Sequence, residues 1–147
     1  MRGERLMNYN IDELYDLLMW DSQLSKEENE AKEKKGIDAA RQIKNLYPFI
    51  QPIVAPPGHS KMVWEGCAKI VAARSDEELE PFMYKLLEWI QDLNWPGARI
   101  IYERLAQMPF HTIESPFKHS RIEAEQTKDT DWLEALDYLY EKITKKA

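Results

Sequence analysis

His111, His119 and Glu123 are the residues whose types are best suited to chemistry. Imidazoles and a carboxylate are the ligands that a zinc-like ion accepts. Three such ligands with one open position would let the metal activate water for hydrolysis. His119 and Glu123 stand i,i+4, one helical turn apart, while His111 would have to swing in from beyond Pro116. A His–Glu pair at that spacing is also an ordinary feature of a solvated helix face. A metal-assisted hydrolase built on these three residues is therefore the alternative reading. The leading reading assigns no catalytic residue, no metal and no cofactor.

The other reactive side chains lack the surroundings they would need. Cys67 sits in an apolar helical pattern with no neighbouring histidine, so a buried, inert thiol is expected. Ser60 follows His59, but no G-x-S-x-G turn encloses it. Neither G-x-x-x-x-G-K nor G-x-G-x-x-G occurs, so no loop is present to cradle phosphate. Carboxylate pairs such as Glu77 with Glu80 and Glu88 with Asp92 are read as solvated faces. Tyr84 differs in kind. Leu79, Phe82, Met83, Leu86, Ile90 and Leu93 recur at helical period, and Tyr84 points away from that stripe. An exposed tyrosine beside Glu80 and Glu88 suits the anchor of a protein interface.

The elements that must position these groups are helical. Asn10 with Glu13, Ser25 with Glu28 and Ser75 with Glu78 each match an N-terminal capping box. Thr130, or Asp131 with Glu134, marks a further start, and Pro96 and Pro116 each suit a first helical position. The pattern predicts helices near 11–20, 26–46, 61–74, 76–93, 96–107, 116–127 and 131–145, with a short turn around 48–53. Loops are expected at "APPGHS" (55–60) and "MPFHTIES" (108–115). Residues 1–9 are expected to be a flexible tail and 10–147 a single helical domain. Helix 61–74 is apolar over much of its girth, through Val63, Trp64, Cys67, Ala68, Ile70 and Val71, and belongs in the middle of a stack. Tyr47, Phe49, Trp64 and Phe82 are expected in the core. Short connections should make neighbouring helices antiparallel hairpins. The predicted fold is thus all-α, with hairpins stacked as a short HEAT-like α-superhelix.

"LLEWIQDLNWPGA" (86–98) contains the sharpest corner. A residue before proline is pushed out of the α region, so Trp95 should be the N-cap with Pro96 at N1. Asp92 is expected to cap that helix, Asn94 to be left-handed, and Trp89 and Trp95 to pack across the joint. Trp89, Asp92, Asn94, Trp95 and Pro96 are thus read as a structural motif. The stretch from Ser75 to Leu105 also resembles an uncharacterised bacterial helical family with the signature L-L-E-W-L-Q-D-x-N-W-P. "VWEGCAKI" (63–70), "GIDAARQIKNLYPFIQP" (36–52) and the segment 116–139 resemble it as well. Ile90 stands where that signature has leucine. The resemblance implies a HEAT-like superhelix of unknown activity.

The totals narrow the function. With 44% hydrophobic and 31% charged residues, the 147-residue chain is of globular composition and large enough for a real core. Its net charge is −6, with the acidity spread along the chain and no basic stripe to neutralise phosphates. Nucleic acid and anionic membranes are therefore not expected partners. The single cysteine excludes an intrachain disulfide, and "MRGERLMNYN" has no apolar segment after its charges, so a cytoplasmic location is expected. The function expected is a non-enzymatic protein-binding scaffold, of the immunity or adaptor kind, that engages a basic protein partner. Oligomeric state is not legible.

Overall fold

A computed structural model describes residues 10–51 and 61–146, and no strand occurs among them. The expected tail at 1–9 and the loop carrying His59 and Ser60 lie outside the described residues.

Helices α1 (Ile11–Leu18) and α2 (Lys26–Ala40) form the first hairpin. Asn10 accepts the Glu13 amide at 2.8 Å, and Ser25 with Glu28 forms a complete capping box. The turn between the helices is clamped by Asn29, a buried amide in an otherwise polar helix start. Its oxygen accepts the Asp21 amide at 2.8 Å, and its nitrogen donates to the carbonyls of Asp21 and Ser25 at 2.9 and 3.1 Å. Helix α2 stops at Ala40 rather than near 46. The Arg74 guanidinium donates to the carbonyls of Ala40 and Ile43, at 2.8 and 2.7 Å, and so satisfies groups that a longer helix would have paired internally. A 3₁₀ turn follows at Tyr47–Phe49. Phe49 is fully buried, but Tyr47 lies on the surface, contrary to expectation.

Helix α3 (Trp64–Ala72), entered through a 3₁₀ turn at Lys61–Val63, packs between α2 and a later helix, α6 (Ala98–Leu105). Val63, Trp64, Cys67, Ala68, Ile70 and Val71 are all buried, which agrees with the central place its girth predicts. The stretch expected as one helix over 76–93 is divided. Ser75 and Glu78 form a capping box that opens α4 (Asp76–Leu79), a 3₁₀ turn runs over Glu80–Phe82, and α5 spans Met83–Trp89. Pro81 is the cause. It lacks an amide hydrogen, and its ring crowds the carbonyl four residues back, which favours the tighter turn here, whereas α-helical geometry carries on through Pro116 in a later helix.

The second half holds α7 (Phe110–Gln126) and α8 (Thr130–Lys146). Pro116 lies inside α7, not at its start, so "MPFHTIES" is helical from Phe110 onward. Helix α7 closes with Lys128 left-handed (φ 55°), while the amides of Lys128 and Asp129 bond back to Glu125 and Ala124. This is a Schellman turn with lysine where glycine is usual. Asp129, one residue before the expected caps, accepts the Trp132 amide at 3.1 Å and starts α8.

Hairpins join α1 to α2 and α7 to α8, but the middle of the molecule is not a succession of hairpins. Helix α3 pairs with α6, and α5 pairs with α7. The Pro81 break and the corner before α6 redirect the chain, so helices adjacent in sequence are not the principal partners in space. Trp132 ties the two halves together by donating from its indole to the Leu87 carbonyl at 3.0 Å.

Candidate functional site

The corner from Ile90 to Gly97 is built around three tryptophans. Trp89 is fully buried and donates from its indole to the Pro96 carbonyl at 3.2 Å. Trp64 of α3 meets Trp89 and Trp95 edge to face, with ring centroids 6.4 and 5.9 Å apart. Both corner indoles thus pack on a tryptophan contributed by another helix. The capping arrangement differs from expectation. The Asp92 carboxylate accepts the Asn94 amide at 2.8 Å, closing an Asx turn, and the N-terminus of α6 has no side-chain cap. Gly97, not Trp95, is the N-cap, and Gly97 rather than Asn94 takes the left-handed conformation (φ 81°). The physical reason is close packing. A Cβ on Gly97 would stand 2.7 Å from the Ala68 Cβ and 2.8 Å from the Trp64 carbonyl oxygen. Only glycine allows α6 to lie this near α3.

Beside this corner opens a cleft of about 630 Å³. Asp92, Leu93 and Asn94 form one end. Helix α6 supplies Arg99, Tyr102 and Glu103, and α8 supplies Asp131, Glu134, Ala135 and Tyr138. The spacings i,i+3,i+4 on α6 and i,i+3,i+4,i+7 on α8 place each set on a single helix face. Four carboxylates thus line the cleft against one guanidinium, with two tyrosine rings among them. At the rim, Lys142 bonds both oxygens of Glu103, at 2.7 and 2.8 Å, and its ammonium lies 5.5 Å from the centre of the Tyr102 ring. Burial holds the Tyr102 hydroxyl above its ordinary pKa. The Lys142 charge opposes that rise, and Glu103, Glu141 and Tyr138 reinforce it.

The surface residues read from the sequence lie elsewhere. Tyr84 is exposed, at 47%, and its ring meets His119 of α7 edge to face at 5.2 Å. Glu80 is exposed, and Glu88 pairs with Lys85 at 3.5 Å. His119 approaches Glu123 to 3.9 Å. His111 occupies the same helix eight residues earlier, so about 12 Å of axial rise separates the two imidazoles. The structure therefore keeps His119 with Glu123 and leaves His111 apart. Among the described residues no group of three or more His, Cys, Asp or Glu side chains is arranged to hold a metal ion. Cys67 is buried, and desolvation pushes its thiol up to about 12, which leaves it protonated at neutral pH.

Sequence spacing does not bring the cleft residues of α6 and α8 together, because α7 intervenes between them in the chain. Asp131 and Glu134 read as caps, and Tyr102 carried no signal of its own. The turn spacing of Asp131, Glu134 and Tyr138 is the one sequence signal of an acidic-aromatic face.

Residues 61–146 match the model of a domain of unknown function, DUF5071. The chain belongs to the DUF5071 family. The DUF5071 region runs from the 3₁₀ turn before α3 through α8, so it contains the tryptophan corner and every residue of the cleft. Helices α1 and α2 precede it. No curated protein and no solved structure matches the chain. Among the described residues no helix is long and apolar enough to cross a membrane.

Proposed function

We propose that this DUF5071 protein is a non-enzymatic binding module that engages a basic protein partner, in the manner of an adaptor or of an immunity protein masking a basic domain. The observation that carries this reading is the cleft, where four carboxylates and two tyrosines face one arginine. Carboxylates attract and steer a cationic surface, and tyrosine rings offer flat contact area at low entropic cost. The residues come from two helices and a corner held by buried tryptophans, so the surface is preorganised. Tyr84 with Glu80 and Glu88 is a second patch of similar chemistry and extends the same reading. A buried, protonated thiol suits a reducing cytoplasm.

Labelled octa-arginine and octa-glutamate peptides probe the charge preference by fluorescence anisotropy. The expected result is binding of octa-arginine alone, strongest at low salt. Replacing both Asp131→Asn and Glu134→Gln should weaken it by about tenfold. Equal affinity for both peptides, or no change in the double variant, would overturn the assignment to the cleft.

A further inference from the structure

We infer that Lys142 is a built-in occupant of the cation seat at the cleft rim, and that a lysine or arginine of the partner binds there by displacing it. The inference rests on the cleft being the docking surface and adds how its rim is regulated. Lys142 shows what the seat accepts. Its ammonium bonds both Glu103 oxygens and stands over the Tyr102 ring, so one carboxylate and one aromatic face hold a single positive charge. Tyr102 and Glu103 are also lining residues of the cleft, so the group that Lys142 occupies belongs to the surface a basic segment would meet. Tyr138, one turn before Lys142 on α8, lies on the cleft side.

The seat is not locked. Both partners of the pair are about half exposed, at 47% and 57%. Water competes for both, and an exposed pair of this kind corresponds to no more than about a fivefold factor. A partner side chain with additional contacts in the cleft can therefore replace Lys142, and the freed ammonium returns to solvent. Arginine has the further advantage of pairing two nitrogens with a carboxylate and stacking on the ring. The self-contact lowers affinity for isolated cations and favours a segment that fills the cleft as well as the seat.

The test uses the full chain and the labelled octa-arginine peptide. Lys142→Met keeps most of the apolar stem and removes the competitor. It should tighten binding by about three- to fivefold. Lys118→Met deletes an equivalent charge on α7, where Lys118 pairs with Glu114, and should tighten binding by less than about twofold. Glu103→Gln should weaken binding, and adding Lys142→Met to it should tighten binding by less than about twofold, as the control does. These are exposed positions, and circular dichroism checks that each variant is folded. Unchanged or weaker binding by Lys142→Met would overturn the inference. So would equal tightening by Lys118→Met, or tightening by Lys142→Met that persists in full without Glu103. If the Asp131→Asn/Glu134→Gln variant binds less but Lys142→Met does not bind more, the cleft stands and only the displacement fails. If neither responds, the cleft reading fails with it.

Discussion

At the scale of single residues, Gly97 has the most stringent environment among the described glycines. It combines a left-handed backbone with contacts that leave no room for a Cβ. Gly97→Ala should cost about 2–5 kcal/mol, combining backbone strain with overpacking against Ala68 and the Trp64 carbonyl. Urea denaturation would check this. Loss under about 1 kcal/mol would mean that the corner relaxes freely. Trp89→Phe keeps a buried ring but leaves the Pro96 carbonyl without its indole donor, and should cost about 1–2 kcal/mol in the same assay. Asn29→Ala should cost about 1–3 kcal/mol, because the Asp21 amide and carbonyl lose their shared partner in a part-buried turn. Pro-Gly after tryptophan marks the turn at Gly97 in the sequence itself. The assignment of roles within it is not marked there, since which residue becomes left-handed depends on Ala68, almost thirty positions away. Asn29 was hidden among charged neighbours for a related reason. A buried amide is identified by the turn it closes, and helical periodicity does not report turns.

At the scale of elements, starts were more legible than ends. Ser25 and Ser75 cap as the local pattern demands, because a capping box is complete within four residues. Helix ends and interruptions respond to distant partners. Helix α2 ends where Arg74 reaches its carbonyls, and α7 runs through Pro116 although a proline there forgoes a hydrogen bond. The apolar stripe on 76–93 buries Leu79, Met83, Leu86 and Ile90 as its spacing predicts, yet Pro81 divides the helix that carries it. The end of α7 offers a direct test of element-level strain. Lys128 sits left-handed at a position that glycine fills without penalty. Lys128→Gly should stabilise the protein by about 0.5–1 kcal/mol, read as a higher urea midpoint with unchanged slope. A destabilised variant would show that the lysine side chain does more than occupy the turn.

At the scale of the whole molecule, two buried weak acids tie stability to pH. Burial pushes the Cys67 thiol up to about 12. The Tyr15 hydroxyl, which donates to the Pro48 carbonyl, is pushed up to about 12 as well, mainly by burial and then by Cys67 and Asp12. Both groups hold their protons more tightly when folded than when unfolded. Their contribution is complete below about pH 9 and is lost progressively as pH rises toward 12. Unfolding free energy should therefore fall between pH 9 and 11, and Cys67→Ala should fall less steeply over that range. A parallel decline in both proteins would remove Cys67 from the account. The same burial makes Cys67 a reporter of opening: a thiol reagent should label it slowly in buffer and rapidly in urea.

The long-range pairings were the least legible part of the fold. Short connections suggested that neighbours in sequence would be neighbours in space, and the corner defeats that rule by bringing α6 back to α3. The candidate cleft shares this origin, since its two walls meet only after α7 has passed between them. The indole of Trp132 completes the hydrogen bonding at the end of α5, and α8 also covers α7. A chain truncated after residue 129 would therefore keep the α5–α7 pairing but leave the Leu87 carbonyl without its indole donor and one side of α7 open to water.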